Sequence, residues 1–349
     1  MITYVLRRLL ILPVIMFLVT LILFFLIMQL PLEQRVAIYL PETNAATMMD
    51  EDKRANLIES TIEKYDLDDP APAQYVNWVR GLLKGHWGYS PTWQQPVLEG
   101  LLQRAPVTAE LALAATVPSV ILALSLGSLA GRYRGGWLDH VIRAAAFVAW
   151  AFPSFILGLM LMNVFYAWLG WFPPGRLSRG VRTFVGSDAF RVYTGMYSLD
   201  GLLNGKPAVS LDALRHLAVP AVALAGAQWA LLTRIMRSSL LDVFGQDYIT
   251  TARAKGLPER QVAKQHARPN AVLPVISTTG VSVSLLLSGA VVIEAIFDLN
   301  GIGHSAAEAI RFSDVPVAVG FAIFTCAVTV LASLVADILY AAVDPRVRL

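Results

Sequence analysis

Six apolar runs dominate the chain, at residues 9–30, 109–131, 143–170, 217–238, 274–297 and 316–342. Each approaches or exceeds the roughly 20 residues a helix needs to cross a bilayer, so the pattern predicts an all-α polytopic membrane protein with six transmembrane helices. The first run follows Arg7-Arg8, as a secretory signal would, but Leu9 to Leu30 is 22 residues long and broken only by Pro13, Thr20 and Gln29. A cleavable signal has an apolar core of about 7–15 residues and a small-residue cleavage site. No A-x-A pattern follows here, so the run is expected to remain as a span. Pro118 and Pro153 predict kinks in the second and third helices. Gly127 and Gly131 form a GxxxG, which predicts close helix packing. Trp168, Trp171 and Phe172 end the third run as an interfacial aromatic belt would.

The stretches between the runs carry patterns of their own. Residues 31–105 are too long for a simple connection. Helical spacing at 50–64 and 74–84, a glycine- and aromatic-bearing turn at GHWGYS (85–90), and a short amphipathic helix at 95–104 lying on the membrane surface predict a small cap. Residues 171–215 hold Pro173-Pro174 with several glycines and arginines. They predict an irregular outer loop, either a solvated surface or a contact for a soluble partner or substrate.

Composition strengthens the membrane reading. The chain is 56% hydrophobic and 15% charged, with a mean hydropathy of +0.57, whereas a soluble domain carries about 25% charge. An ordinary cytosolic enzyme is excluded, and a net charge of +3 is too small to suggest a nucleic-acid binder. The placement of charge is more informative. Fourteen Lys and Arg fall in the 67 residues of segments 1–8, 132–143, 234–272 and 342–349, beside five acidic residues. Another fourteen spread over the 138 residues of 31–105, 171–215 and 298–315, beside 17 acidic ones. Basic residues concentrate on the cytoplasmic side, which predicts that both termini are cytoplasmic. Cys326, the single cysteine, excludes an intrachain disulfide.

Much chemistry is missing. The sequence holds no G-x-x-x-x-G-K-[ST] phosphate loop, no HExxH and no G-x-S-x-G, so it predicts neither an ATPase nor a membrane-embedded hydrolase. None of the five histidines forms an i, i+4 pair, and no metal site or cofactor is expected. The acidic residues within the runs, Glu110, Glu294 and Asp337, sit near run ends. An ion-coupled carrier would be expected to hold carboxylates nearer the midplane.

The most informative polar segment is 239–274, SLLDVFGQDYITTARAKGLPERQVAKQHARPNAVLP. It holds five of the fourteen basic residues assigned to the cytoplasm and reads as two short helices broken at Lys255-Gly256-Leu257. Gly256 suits a left-handed C-cap, and Lys255 the negative helix end. Pro258 suits the first position of a new helix, with Glu259 in its first turn. The second helix is expected to cover 258–267 and to stop before Pro269, because the residue before a proline avoids the helical region. A short helix held at both ends beneath the membrane can pass motion from a soluble partner to the spans.

YITTARAKGLPE followed by HARPNAVLP resembles the cytoplasmic EAA loop of ABC-importer permeases, most closely the first permease of the dipeptide/oligopeptide branch. The likeness extends over most of the chain. YVLRRLL (4–10), YDLDDPAPAQYVNWVRGLLKGHWGYS (65–90), PSF (153–155) with Gly158, EAIFDLNGIG (294–303), DVPVAVG (314–320) and DPRVR (344–348) match that branch in order and spacing. Departures are Thr250 in place of the glutamate that names the loop, Arg268-Pro269 in place of a second basic pair, and Pro31-Leu32-Glu33-Gln34 after the first span. The resemblance implies a type I ABC importer-like architecture. Residues 1–30 would form the tail and first helix, 31–105 an extracytoplasmic cap, and 106–349 a five-helix core. It also implies a pseudo-twofold partner permease, two cytoplasmic ATPase subunits that hold the ATP and Mg, and an extracytoplasmic solute-binding protein, all at a prokaryotic inner membrane. Thr251, Ala252, Ala254, Lys255, Gly256 and Pro258 would form the elbow that docks on the ATPase. Arg260, Lys264 and Arg268 would be its charged contacts, and Glu294 a candidate external gate. Di- and oligopeptides are the expected cargo, with nickel complexes or oligosaccharides as alternatives. A secondary carrier would account for six spans but not for the helix-break-helix loop.

Overall fold

The structure, a computed structural model, describes residues 2–37, 39 and 51–343. The DPRVR segment at 344–348 lies outside the described residues. Helices dominate. In chain order they are α1 (Ile2–Met28), α2 (Leu32–Ala37), α3 (Glu51–Lys64) and α4 (Ala71–Leu83), then a two-residue hairpin of β1 (Tyr89–Ser90) and β2 (Gln95–Pro96). There follow α5 (Val97–Arg132), α6 (Trp137–Ala151), α7 (Ser154–Met162) with a π-helical turn (Asn163–Trp168), α8 (Arg179–Val185), α9 (Tyr197–Leu203) and α10 (Pro207–Phe244). The remainder comprises α11 (Asp247–Ala254), α12 (Glu259–Gln261), a second π-helical turn (Val262–Ala267), α13 (Arg268–Ala271), α14 (Leu273–Ile296), α15 (Ile302–Arg311) and α16 (Val315–Val343).

Among the described residues, four helices are long and apolar enough to cross a membrane: α1 from Leu10, α5, α10, and α16 as far as Val335. A fifth crossing results if α6 and the segment Ser154–Trp168 count as one broken span, bent by 102°. The kink expected at Pro153 is therefore a full break. Phe152, placed before the proline, leaves the helical region (φ −95°, ψ 129°), and Pro153 itself lies at ψ 141°, as the steric conflict with the proline ring dictates. α14 covers 24 residues at the place of the fifth predicted run.

One expected element is absent among the described residues. The separate surface helix at 95–104 is instead the first part of α5, which runs for 36 residues through Pro106 and Pro118. Val97 and Leu101 are fully buried, so one apolar stripe continues along the helix and outweighs the hydrogen bonds lost at the prolines.

The chain divides into two compact units. Of the described residues, the first comprises 2–5, 106–303 and 331–343, and its centre is α10. Leu217, Leu224, Leu111, Leu286 and Ile293 form one buried cluster there. The GxxxG of α5 makes its close approach to α10: a Cβ on Gly127 would stand 2.7 Å from Met236 Cβ, and one on Gly131 3.0 Å from Leu240 Cδ2. Asp139 of α6 binds Arg237 of α10 through two 2.7 Å hydrogen bonds, to Nε and Nη2.

Of the described residues, the second unit comprises 6–37, 39, 51–105 and 304–330. α4 lies on α1 through Phe24, whose ring is 5.4 Å from Tyr75 and 5.7 Å from Trp78, centre to centre. Two sequence motifs far apart in the chain meet here. The hydroxyl of Ser90, at the end of GHWGYS, donates a 2.6 Å hydrogen bond to the buried Asp314 that opens DVPVAVG. Asp314 also accepts from the Val317 N–H at 3.1 Å, capping the first turn of α16.

Candidate functional site

The segment that joins α10 to α14 is built on a single apolar cluster. Leu232, Met236 and Leu240 of α10, Ile249 and Ala252 of α11, Val262 and Ala267 of the second π-helical turn, Ala271 of α13 and Val275 of α14 are all buried together. α11, the π-helical turn and α13 are thus each held by one or two apolar residues, because a helix of eight residues or fewer has little stability of its own.

The break between α11 and α12 has the expected chemistry. Gly256 adopts φ +78°, and its N–H donates to the Arg253 carbonyl at 2.9 Å while that of Lys255 donates to Thr251 at 3.1 Å. These bonds satisfy two of the carbonyls left open at a helix end. A Cβ on Gly256 would meet nothing within 4 Å, so glycine is required by the backbone angle and not by space. Pro258 stands one residue earlier than expected, as the N-cap of α12 at ψ 144°. Across the break, Arg253 clamps Glu259 through hydrogen bonds of 3.1 Å from Nε and 2.8 Å from Nη2. That contact is the main reason the Glu259 carboxyl is held below its ordinary pKa.

Pro269 does not end the second helix. Arg268, directly before it, keeps helical angles (φ −58°, ψ −44°), and helical structure continues into α13. The π-helical turn at Val262–Ala267 is the physical reason: its wider i→i+5 winding shifts the hydrogen-bond register just before the ring arrives. Sequence reasoning, which weighs α-helix alone, places the stop too early.

Of the nine residues assigned to docking, eight are exposed: Thr251, Ala254, Lys255, Gly256, Pro258, Arg260, Lys264 and Arg268. Ala252 is 6% exposed and belongs to the apolar cluster, so its side chain is a structural support. Arg260, Lys264 and Arg268 repeat every four residues and form no ion pair among the described residues. Eight exposed positions, four of them cations without an ion pair among the described residues (Lys255, Arg260, Lys264 and Arg268), surround a rigid break that rests on a buried base.

The opposite end of α10 carries a different construction that sequence reasoning missed. Residues 171–215 are not an irregular loop. They contain α8, α9 and the start of α10, around a core of Leu177, Val185, Phe190, Val209 and Ala213. The buried Glu110 of α5 accepts from Arg176 Nη2 at 3.0 Å and from the Ser198 N–H at 2.7 Å. Arg176 also donates to the Gly195 carbonyl at 2.7 Å and lies 4.1 Å over the Tyr197 ring. Asp200, fully buried, accepts from the Thr194 N–H and hydroxyl, both at 2.8 Å, and from the Gly195 N–H at 3.0 Å. The density of Asp, Arg and Gly in this segment was the available signal, but it does not say which residues pair.

Glu294 is fully buried. It accepts a 2.5 Å hydrogen bond from Thr108, whose oxygen in turn accepts from the Ile302 N–H at 2.9 Å. A Cβ on Gly301 would collide with the Glu294 carboxylate, so the turn between α14 and α15 folds tightly over that group.

Comparison with known proteins gives these features a context. Residues 123–349 match the family described as "Binding-protein-dependent transport system inner membrane component". The chain is 37% identical to the probable D,D-dipeptide transport system permease protein DdpB of Escherichia coli (strain K12) over 83% of this chain and 84% of that protein. It is 36% identical to the oligopeptide transport system permease protein AppB of Bacillus subtilis (strain 168), over 83% and 84% respectively. It is also 30% identical to the dipeptide transport system permease protein DppB of Alkalihalophilus pseudofirmus over the whole of both chains.

Proposed function

The chain belongs to the binding-protein-dependent transport system inner membrane components, and from that premise we propose that it is one permease half of an ATP-driven importer of di- and oligopeptides. The observation that carries this reading is the exposed, cationic helix-break-helix around Gly256, seated on a buried apolar cluster. A surface that is polar outside and rigidly anchored inside suits a groove on a soluble motor subunit.

In this reading six helices cross the inner membrane, with α6 and α7 sharing one broken span, and both termini are cytoplasmic. Residues 1–30 supply the tail and first helix, 31–105 the extracytoplasmic cap, and 106–349 the five-helix core. Thr251, Ala254, Lys255, Gly256 and Pro258 form the docking elbow, and Arg260, Lys264 and Arg268 meet the motor through charge. Ala252 anchors the elbow from beneath. ATP and Mg are bound by two partner ATPase subunits. Their closure moves 258–271, and α10 and α14, which pack on it, carry the displacement into the spans. Such a residue biases a two-state equilibrium without touching cargo. A second permease completes the path, and a solute-binding protein delivers the peptide. Glu294, tethered to Thr108, serves the external gate as an anchor for the loop at 298–303 and not as a contact for the solute. The names of the relatives, all peptide systems, support the cargo class.

Purification of the tagged chain in mild detergent, followed by mass spectrometry of stoichiometric partners, tests the reading. A second permease with ATPase subunits is the expected result. The chain alone, stable and transporting solute when reconstituted without an ATPase, would make it a secondary carrier.

A further inference from the structure

A groove of about 440 Å³ lies between α6 and α10, within the first unit and apart from the docking elbow. Its walls combine two chemistries. Arg143 and Arg234 are exposed on facing helices, and among the described residues neither has a carboxylate within ion-pair distance. Arg237, which also lines the groove, is already neutralised by Asp139. One helical turn and two turns beyond Arg143 stand Phe147, 72% exposed, and Trp150, 51% exposed. Arg234 lies 5.5 Å over the Trp150 ring. The hydroxyl of Thr233, 2% exposed, belongs to the same wall and has no hydrogen-bond partner.

Two exposed cations beside an aromatic surface at the membrane's edge attract an acidic head group, because each carries charge that no carboxylate of the chain pairs with among the described residues. One ligand answers both the cations and the aromatic surface. We propose that this groove binds an anionic phospholipid, with the phosphate between Arg143 and Arg234 and an acyl chain against Phe147 and Trp150. Basic pockets between transmembrane helices at the cytoplasmic face suit acidic head groups. The placement in the cytoplasmic leaflet rests on the orientation given under the proposed function, whereas the groove and its charges do not. The lipid would brace α6 against the last turns of α10, the end from which the docking elbow continues.

The test is native mass spectrometry of the intact chain released from nanodiscs of phosphatidylcholine doped with phosphatidylglycerol. The wild type should retain one phosphatidylglycerol in preference to phosphatidylcholine. Arg143→Gln combined with Arg234→Gln should weaken retention at least tenfold. Ala144→Phe, which fills the groove and keeps every charge, should do the same, so a loss cannot be assigned to misfolding of the charge variant alone. Arg134→Gln, an exposed arginine in the neighbouring connection, should leave retention unchanged. Equal retention of the two lipids, or an equal loss in the Arg134→Gln variant, would overturn the proposal. Displacement of the lipid by millimolar inorganic phosphate would also overturn it, as a free-anion site. So would a groove closed to lipid in the purified assembly because a partner permease covers it. Orientation is read separately, by labelling an Arg134→Cys, Cys326→Ser variant with an impermeant maleimide on spheroplasts. Labelling from outside would invert the topology and leave the lipid measurement standing.

Discussion

The two ends of α10 handle charge in opposite ways. At the Pro207 end, Glu110 and Arg176 are paired, with side chains 4% and 19% exposed, and the buried Asp200 is saturated by three donors. At the Phe244 end, Arg260, Lys264 and Arg268 stand exposed and unpaired on helices whose other face is buried. About 57 Å of helix at 1.5 Å per residue separates them. The difference separates two uses of polar residues that composition cannot tell apart. Charge that is buried and satisfied holds a segment in shape. Charge left exposed on a rigid base is available to something else.

The comparison can be broken first at its buried end. Glu110→Gln should cost about 3 kcal/mol, because removing one partner strands the other in a low-dielectric site. Thermal unfolding in detergent should show a marked fall in midpoint. An unchanged midpoint would mean that the Arg176 contacts to Gly195 and Tyr197 suffice, and that the segment does not depend on its ion pair. At the exposed end the informative change should leave the chain folded at a moderate cost in stability and remove function. Gly256→Val forces a β-branched residue to φ +78°, a strain of about 1–3 kcal/mol, at a position where no neighbour obstructs it. ATP-driven uptake by the assembled importer should fall at least a hundredfold with the chain still present in the membrane. Normal uptake would remove Gly256 from the coupling mechanism.

These two variants also mark what could be read from the sequence. Gly256 and Pro258 declare a break because their effect is local: a left-handed cap and a fixed φ need no knowledge of the rest of the chain. A kink at Pro153 was legible for the same reason, although its growth into a full break of 102° was not. Glu110 with Arg176, Thr108 with Glu294, and Ser90 with Asp314 join residues 66, 186 and 224 positions apart. No periodicity marks such pairs, and only the packing of long helices brings them together. The continuity of α5 through Pro106 and of helical structure through Pro269 has a related cause. Local rules predicted a stop, and tertiary burial or a π-helical turn overrode them.

A smaller effect sharpens the contrast. Substituting Arg260, Lys264 and Arg268 together by Gln removes the exposed charge and leaves the apolar base untouched. Binding of the ATPase should weaken by about tenfold, or 1.4 kcal/mol, and the difference should shrink in high salt as screening removes what the cations contributed. Wild-type affinity for the ATPase at low salt would assign these cations to topology alone.

The smallest effect concerns the ion pair found at the exposed end among the described residues. Arg253 and Glu259 are 42% and 52% exposed, so their contribution is about 0.2–1 kcal/mol despite the two-bond geometry. The sign follows from the lowered carboxyl pKa. Stability from this pair is fully present above the ordinary glutamate value of 4.5 and is lost as the pH falls through the lower folded value. Glu259→Gln should therefore reduce the unfolding midpoint slightly at pH 7, and the gap to wild type should close below pH 4.5. The Glu110→Gln gap should exceed it at pH 7, because a pair shielded from water loses more when one partner is removed. A Glu259→Gln penalty as large as that of Glu110→Gln would mean that the exposed end of α10 is held by charge after all, and the distinction between satisfied and available cations would fail where it matters most.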